Sequence, residues 1–136
     1  MALNWDDSLL LGNEEIDRAH QQIFDYFEKL SIACMECRGE EVLHEVLQYL
    51  DDYASQHFSD EEALMEEHNY PKLPEQQIQH AYFRHSVQSL REMDMQHMDS
   101  NELSQLIYRK LVLWFNQHIK QSDQQMLNYF RAQQYY

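Results

Sequence analysis

Turn-forming residues are scarce in this chain, whose 136 residues include only 2 Gly and 2 Pro. A sheet protein of that length needs many tight reversals, so the scarcity argues against all-β designs and for long helices with short joints. Cysteine is equally sparse. Cys34 and Cys37 sit three apart near the end of a helical run, too few and too close for a disulfide framework, with no second pair to make a redox or metal motif of them. Basic residues are outnumbered, 10 Lys plus Arg against 24 Asp plus Glu, and the resulting formal charge of −14 is repelled by phosphate backbones and anionic lipid. Neither nucleic acid nor a membrane surface is expected as a partner. No apolar run reaches the roughly 20 residues of a membrane span. The opening MALNWDDSLLLG lacks the basic segment and long apolar core of a signal peptide, so a cytoplasmic location is expected.

What is present reads as one domain over residues 1–136, since a chain of this size can bury ~70% of its unfolded surface around a single core. From Glu14 to about Cys37, Ile16, His20, Ile23, Phe27, Leu30 and Cys34 recur at spacings of three and four, with Arg38-Gly39 as a stop. A second run carries Leu43, Leu47, Leu50, Ala54, His57, Glu61, Leu64 and His68 until Asn69-Tyr70-Pro71 breaks it. After Pro74 a third aligns Gln76, His80, Phe83, Val87 and Leu90. Asp99, Ser100 and Asn101 offer turn and N-cap chemistry before a fourth, opening at about Asn101, with Leu103, Ile107, Leu111, Trp114 and His118 on its stripe. The pattern predicts an all-α, up-and-down four-helix bundle. Residues 1–13, with Trp5 and the cluster Leu9 to Leu11, are expected as an arm packed across it.

Seven polar residues interrupt the apolar stripes: His20, His57, Glu61, Gln76, His80, His118 and Asp123. Imidazoles and carboxylates are costly to bury unpaired, and a bound cation is the partner that could satisfy this many at once. His57 and Glu61 are four apart and share a helix face, as do Gln76 and His80. His118 and Asp123 are five apart, about 140° on a regular helix, so a common site requires a locally widened turn or a long reach by the carboxylate. One interior histidine alone is more often a hydrogen-bonded core residue than a ligand. Four in register with two carboxylates reverse that weighting, and mixed nitrogen and oxygen donors suit iron, manganese or zinc. The paired Glu-x-x-His pattern of ferritin-like bundles is absent, only Glu41 to His44 having that form, and His44-Glu45-Val46-Leu47-Gln48 lacks the second His of a zinc protease.

Trp5 with GNEEIDRAHQQIF, then HFSDEEALMEEHNYP, HAYF and WFNQHIKQSD, resembles the hemerythrins, most of all their single-domain bacterial kind, over about Trp5 to Tyr129. The resemblance implies two Fe ions, oxo- or hydroxo-bridged, that bind O2 reversibly, and hence an oxygen carrier, store or sensor more than an enzyme. By position, Glu61 and Asp123 would be the bridging carboxylates, and His20 and His57 would hold the open iron that takes O2. The family's other iron has three His ligands, two of them four apart on the third helix. Here His80 and His118 match, and Gln76 stands in the place of the third. Phe83, three residues after His80, fixes the register on His80, so His85 is expected to face solvent, as are His44 and His97. His68, on the stripe near a helix end, is expected to cap or support. Phe115, three before His118, stands where the family usually has a leucine bordering the O2 pocket, so Trp114 and Phe115 are expected to line it, as a gate or as ordinary packing.

Gln76 offers a weakly basic carboxamide oxygen, so it could bind loosely, hold a water or leave a position open. Two alternatives therefore accompany the oxygen-binding reading: a di-iron enzyme reacting with O2, peroxide or NO, and a metal-poor helical interaction module. The Tyr- and Gln-rich C-terminal segment could serve a protein partner, which the sequence does not name, just as it names no reductant. Met65, Met93 and Met126 read as core filler.

Overall fold

Asn13 starts the first helix by accepting the backbone N–H of Ile16 on its side-chain oxygen at 3.1 Å. In the computed structural model, which describes residue 7 and residues 10–36, 39–95 and 99–133, α1 runs Glu14–Met35, α2 Gly39–Glu67 and α3 Leu73–Met95. A fourth rod is built from α4 (Ser100–Ile107), a π-turn (Tyr108–Val112), α5 (Leu113–His118), a second π-turn (Ile119–Asp123) and α6 (Gln124–Ala132). There is no strand among the described residues. α1 packs on α2 and α2 on α3, and the fourth rod lies against α1, α2 and α3, the all-α four-helix bundle that the periodicity predicts.

Several boundaries shift from the sequence expectation. Gly39 opens α2 rather than stopping α1, and Pro74 lies inside the first turn of α3, where its missing N–H is no loss. Asn69, at φ 53, ends α2 in the left-handed conformation, and Tyr70 N–H bonds back to the Met65 carbonyl at 2.9 Å, closing the helix as a C-cap. Asp99 caps the fourth rod, accepting Glu102 N–H on Oδ2 at 3.2 Å.

The core joins Ile23, Phe27, Leu43, Leu47, Leu50, Phe58, Phe83, Leu90, Leu103, Phe115 and Phe130, with Met65 and Met126 fully buried and Met93 packed at its margin. Trp114 was expected on the inward stripe of the fourth rod, yet Phe115 is buried and Trp114 only partly so. The wider turn at Tyr108–Val112 carries the seam one residue later. Of the arm, Leu11 is buried and Leu10 exposed; Trp5 and Leu9 lie outside the described residues, as do Cys37 and His97. Asp17 holds the described end of the arm, accepting Leu11 N–H at 2.8 Å and Gly12 N–H at 3.1 Å, and Arg131 of α6 donates to the Leu11 carbonyl. Both contacts fix the phase of α1, and thereby where His20 points.

Candidate metal centre

Each rod delivers its polar residues to one level of the bundle. All seven, His20, His57, Glu61, Gln76, His80, His118 and Asp123, are buried. On α2, His57 Nε2 lies 2.8 Å from Glu61 Oε1, as the four-residue spacing requires. His20 of α1 places Nε2 3.4 Å from the same Glu61 oxygen and 3.3 Å from Asp123 Oδ2. His80 of α3 faces the other Glu61 oxygen, Oε2, at 3.3 Å. On the fourth rod His118 Nε2 lies 3.2 Å from Asp123 Oδ1, across the π-turn Ile119–Asp123. That turn is the local widening that the five-residue spacing demands.

The two carboxylates therefore divide their oxygens in the same way. Oε1 of Glu61 and Oδ2 of Asp123 face His20, whereas Oε2 of Glu61 faces His80 and Oδ1 of Asp123 faces His118. His20, His57 and Glu61 could hold one cation, and Glu61, His80 and His118 a second. Gln76 lies on the second side, its amide nitrogen donating to Asp123 Oδ1 at 3.2 Å.

Apart from His20 on Glu61 Oε1 and Gln76 on Asp123 Oδ1, these close approaches are not hydrogen bonds. His57 Nε2, His80 Nε2, His118 Nε2, Glu61 Oε2, Asp123 Oδ2 and Gln76 Oε1 are buried without a hydrogen-bond partner among the described residues. Each such atom costs about 1–3 kcal/mol if nothing outside the polypeptide satisfies it. Their convergence is what a set of metal donors looks like before the ion is added.

The electrostatics agree with that reading. Burial disfavours a charged His20, but Asp123 and Glu61 beside it outweigh burial and lift its imidazole to about 9. Burial pushes Glu61 up, while the charge of His57 and contacts from His20 and His80 hold it well below the usual carboxylate range. Asp123 is raised by burial and by neighbouring Glu61, and is brought down to about 2 by His118 and His20. The pocket thus favours ionised carboxylates and positive charge between them.

Two supporting residues had no clear signal in the sequence. Glu62 Oε2 lies 2.7 Å from His80 Nδ1, and Gln79 Oε1 lies 2.7 Å from His118 Nδ1 while also accepting Ser122 Oγ–H at 2.7 Å. Both contacts turn Nε2 of the ring inward, and such outer partners orient metal-binding histidines. The only hint was position, each lying next to a stripe residue. His85 and His44 are exposed. His68 packs edge-on against Phe130.

The model of the hemerythrin HHE cation binding domain matches residues 11–130. The chain belongs to the hemerythrin family. Its relatives include the bacteriohemerythrin of Stenotrophomonas maltophilia, 28% identical over 130 residues that cover 96% of this chain and 82% of the relative. That of Clostridium acetobutylicum is 26% identical over 130 residues, 91% of this chain and 98% of the relative. That of Pseudomonas aeruginosa is 30% identical over 122 residues, 89% and 76%. This hemerythrin chain has donors of the kind that a di-iron centre takes, imidazole nitrogens and carboxylate oxygens in two groups, with several of their buried atoms left without a hydrogen-bond partner among the described residues.

Proposed function

We propose that this chain binds dioxygen reversibly at two irons, one under His20 and His57, the other under His80, His118 and Gln76, with Glu61 and Asp123 spanning both. The observation that carries the reading is the division of each carboxylate's oxygens between the two histidine groups. Bound iron supplies electrons and an open coordination position for O2. The chain's own residues set the shape around that position. The Phe115 ring meets His20 edge-on at 5.5 Å, and Trp114 stacks on His118 at 4.8 Å. In this reading the two rings line the ligand pocket, with Phe115 narrowing the His20 side.

Gln76 takes the position of a family histidine and makes the second iron the more weakly held. Its nitrogen is already engaged by Asp123, and its oxygen is a poorer donor than an imidazole. That substitution favours a second reading, reaction with peroxide or NO at a centre with two accessible sides. A cavity of about 380 Å³, lined by Tyr53, His57, Asp60, Glu61 and others, reaches the first side and supports it.

The test is titration of apoprotein with Fe(II), followed by cycles of O2 and argon with absorption spectra throughout. Two irons per chain and charge-transfer bands that appear and vanish with O2 are expected. Bands that appear once and never reverse, with oxidant consumed continuously when a reductant is supplied, would transfer the assignment to the second reading. Absence of iron uptake would leave a metal-free interaction module.

A further inference from the structure

Beside the centre, four aromatic rings lie in nearly parallel planes. Tyr26 of α1 stacks on Tyr49 of α2 with ring centroids 3.4 Å apart and planes at 12°. Tyr49 is parallel to Tyr53 at 5.0 Å and 11°, and Tyr53 to His57 at 6.2 Å and 11°. Three of the rings come from successive turns of one helix, so the spacing of four residues builds the stack directly. It connects a side chain near the surface to a histidine of the centre.

Packing alone does not account for the phenols. The Tyr49 hydroxyl is buried with no hydrogen-bond partner among the described residues, a place where a phenylalanine ring would fill the same space without stranding an oxygen. Burial and the neighbouring tyrosines push that hydroxyl's pKa well above its ordinary value, so its proton stays on. The two ends differ. Tyr26 is half-buried, and Tyr53 lines the cavity beside His57, so both can pass a proton to water.

We propose that Tyr26, Tyr49 and Tyr53 form a relay that supplies hydrogen-atom equivalents from a low-molecular-weight thiol to hydrogen peroxide reacting at the centre. The proposal rests on the reading of that centre as an iron site. Tyr53 gives an electron through the His57 ring and its proton to the cavity. Tyr26 gives an electron across the Tyr49 ring and its proton to solvent. Peroxide takes the two electrons and two protons, its O–O bond breaks, and two waters form, leaving two neutral tyrosyl radicals. Two thiols then each give an S–H hydrogen to a phenoxyl oxygen and couple as a disulfide. The sum is one peroxide and two thiols to two waters and one disulfide.

The experiment is rapid freeze-quench electron paramagnetic resonance of the iron-loaded protein mixed with hydrogen peroxide. Protein grown on ring-deuterated tyrosine identifies the radical as tyrosyl. A tyrosyl signal is expected, with one of its two components lost in Tyr26→Phe and the whole signal lost in the Tyr26→Phe/Tyr53→Phe double variant. Tyr49→Phe is expected to keep the component at Tyr53. Phenylalanine preserves the stacking, and iron content checks that each variant folds. No tyrosyl signal from a protein with two irons overturns the relay while leaving the iron centre standing. A signal undiminished in the double variant, or lost only in Tyr82→Phe, whose ring stacks on Trp114 at 6.4 Å, also overturns it. Failure to take up iron removes the centre and the relay together.

Discussion

His118 Nε2 and Asp123 Oδ1 approach to 3.2 Å although five residues separate them, because the chain between them makes a π-turn. A π-turn is one residue inserted into an α-helix, so removing that residue restores regular winding and leaves the flanking faces in phase. Deleting exposed Gln121 is therefore expected to keep both metals, with affinity changed by no more than about tenfold, ~1.4 kcal/mol. Deleting Gln88, exposed on the regular helix α3, rotates Gln76, His80 and Val87 against Leu90 and Met93 and is expected to abolish binding. Metal titration of the two deletion variants decides the point; equal losses would contradict this account of the turn.

Gln76 donates its amide nitrogen to Asp123 Oδ1 and leaves Oε1 unpartnered in the interior. Gln76→His replaces a weak oxygen donor with an imidazole. The more weakly bound of two irons is expected to tighten by about tenfold or more, ~1.4 kcal/mol, and autoxidation of the oxygenated form to slow. Competition with a chelator measures the first effect and the decay of the oxygenated spectrum the second. Identical behaviour in both proteins would sink the claim that Gln76 is the weak position.

Phe115 is fully buried and touches His20, Phe24 and Phe83. If its ring narrows the ligand pocket, Phe115→Leu should raise the rate of azide binding to the oxidised iron protein several-fold, at a stability cost of about 1–2 kcal/mol. Stopped-flow mixing gives the rate and thermal unfolding the cost. A stability loss with an unchanged rate would assign the ring to packing alone.

Gly12 sits at φ +90, and a Cβ there would fall 2.5 Å from Arg131 Nη2, the group that holds the arm to α6. Gly12→Ala combines backbone strain with a displaced arginine. It should destabilise the fold by at least about 1–2 kcal/mol, lowering the unfolding temperature by several degrees while iron stoichiometry stays at the native value. Differential scanning calorimetry with metal analysis separates the two effects, and an unshifted midpoint would refute the strain argument.

The positions of His20, His57, Glu61 and His80 were legible because each lies on a run whose spacing the structure keeps as regular α-helix. Asp123 was legible only conditionally, since its spacing from His118 required a turn that sequence periodicity could suggest but not locate. The turn at Tyr108–Val112 left no comparable trace: Leu111 and Val112 are both buried, so an apolar pair absorbs the extra residue without a visible break in the pattern. Trp114 and Phe115 exchanged places for that reason. Glu62 and Gln79 escaped notice because their work depends on which ring nitrogen of a neighbouring helix they meet, a relation between rods that no single run encodes.

Glu61 and Asp123 come from the second and the last rod, and each raises the cost of ionising the other when nothing lies between them. A chain deprived of iron would thus carry mutually repelling acids at its heart, held in check by the His20 imidazole between them and the Gln76 amide on Asp123. The ion pair of the loaded form would act as a rivet through the bundle, and scarcity of the metal would register as a shorter lifetime of the polypeptide against proteases.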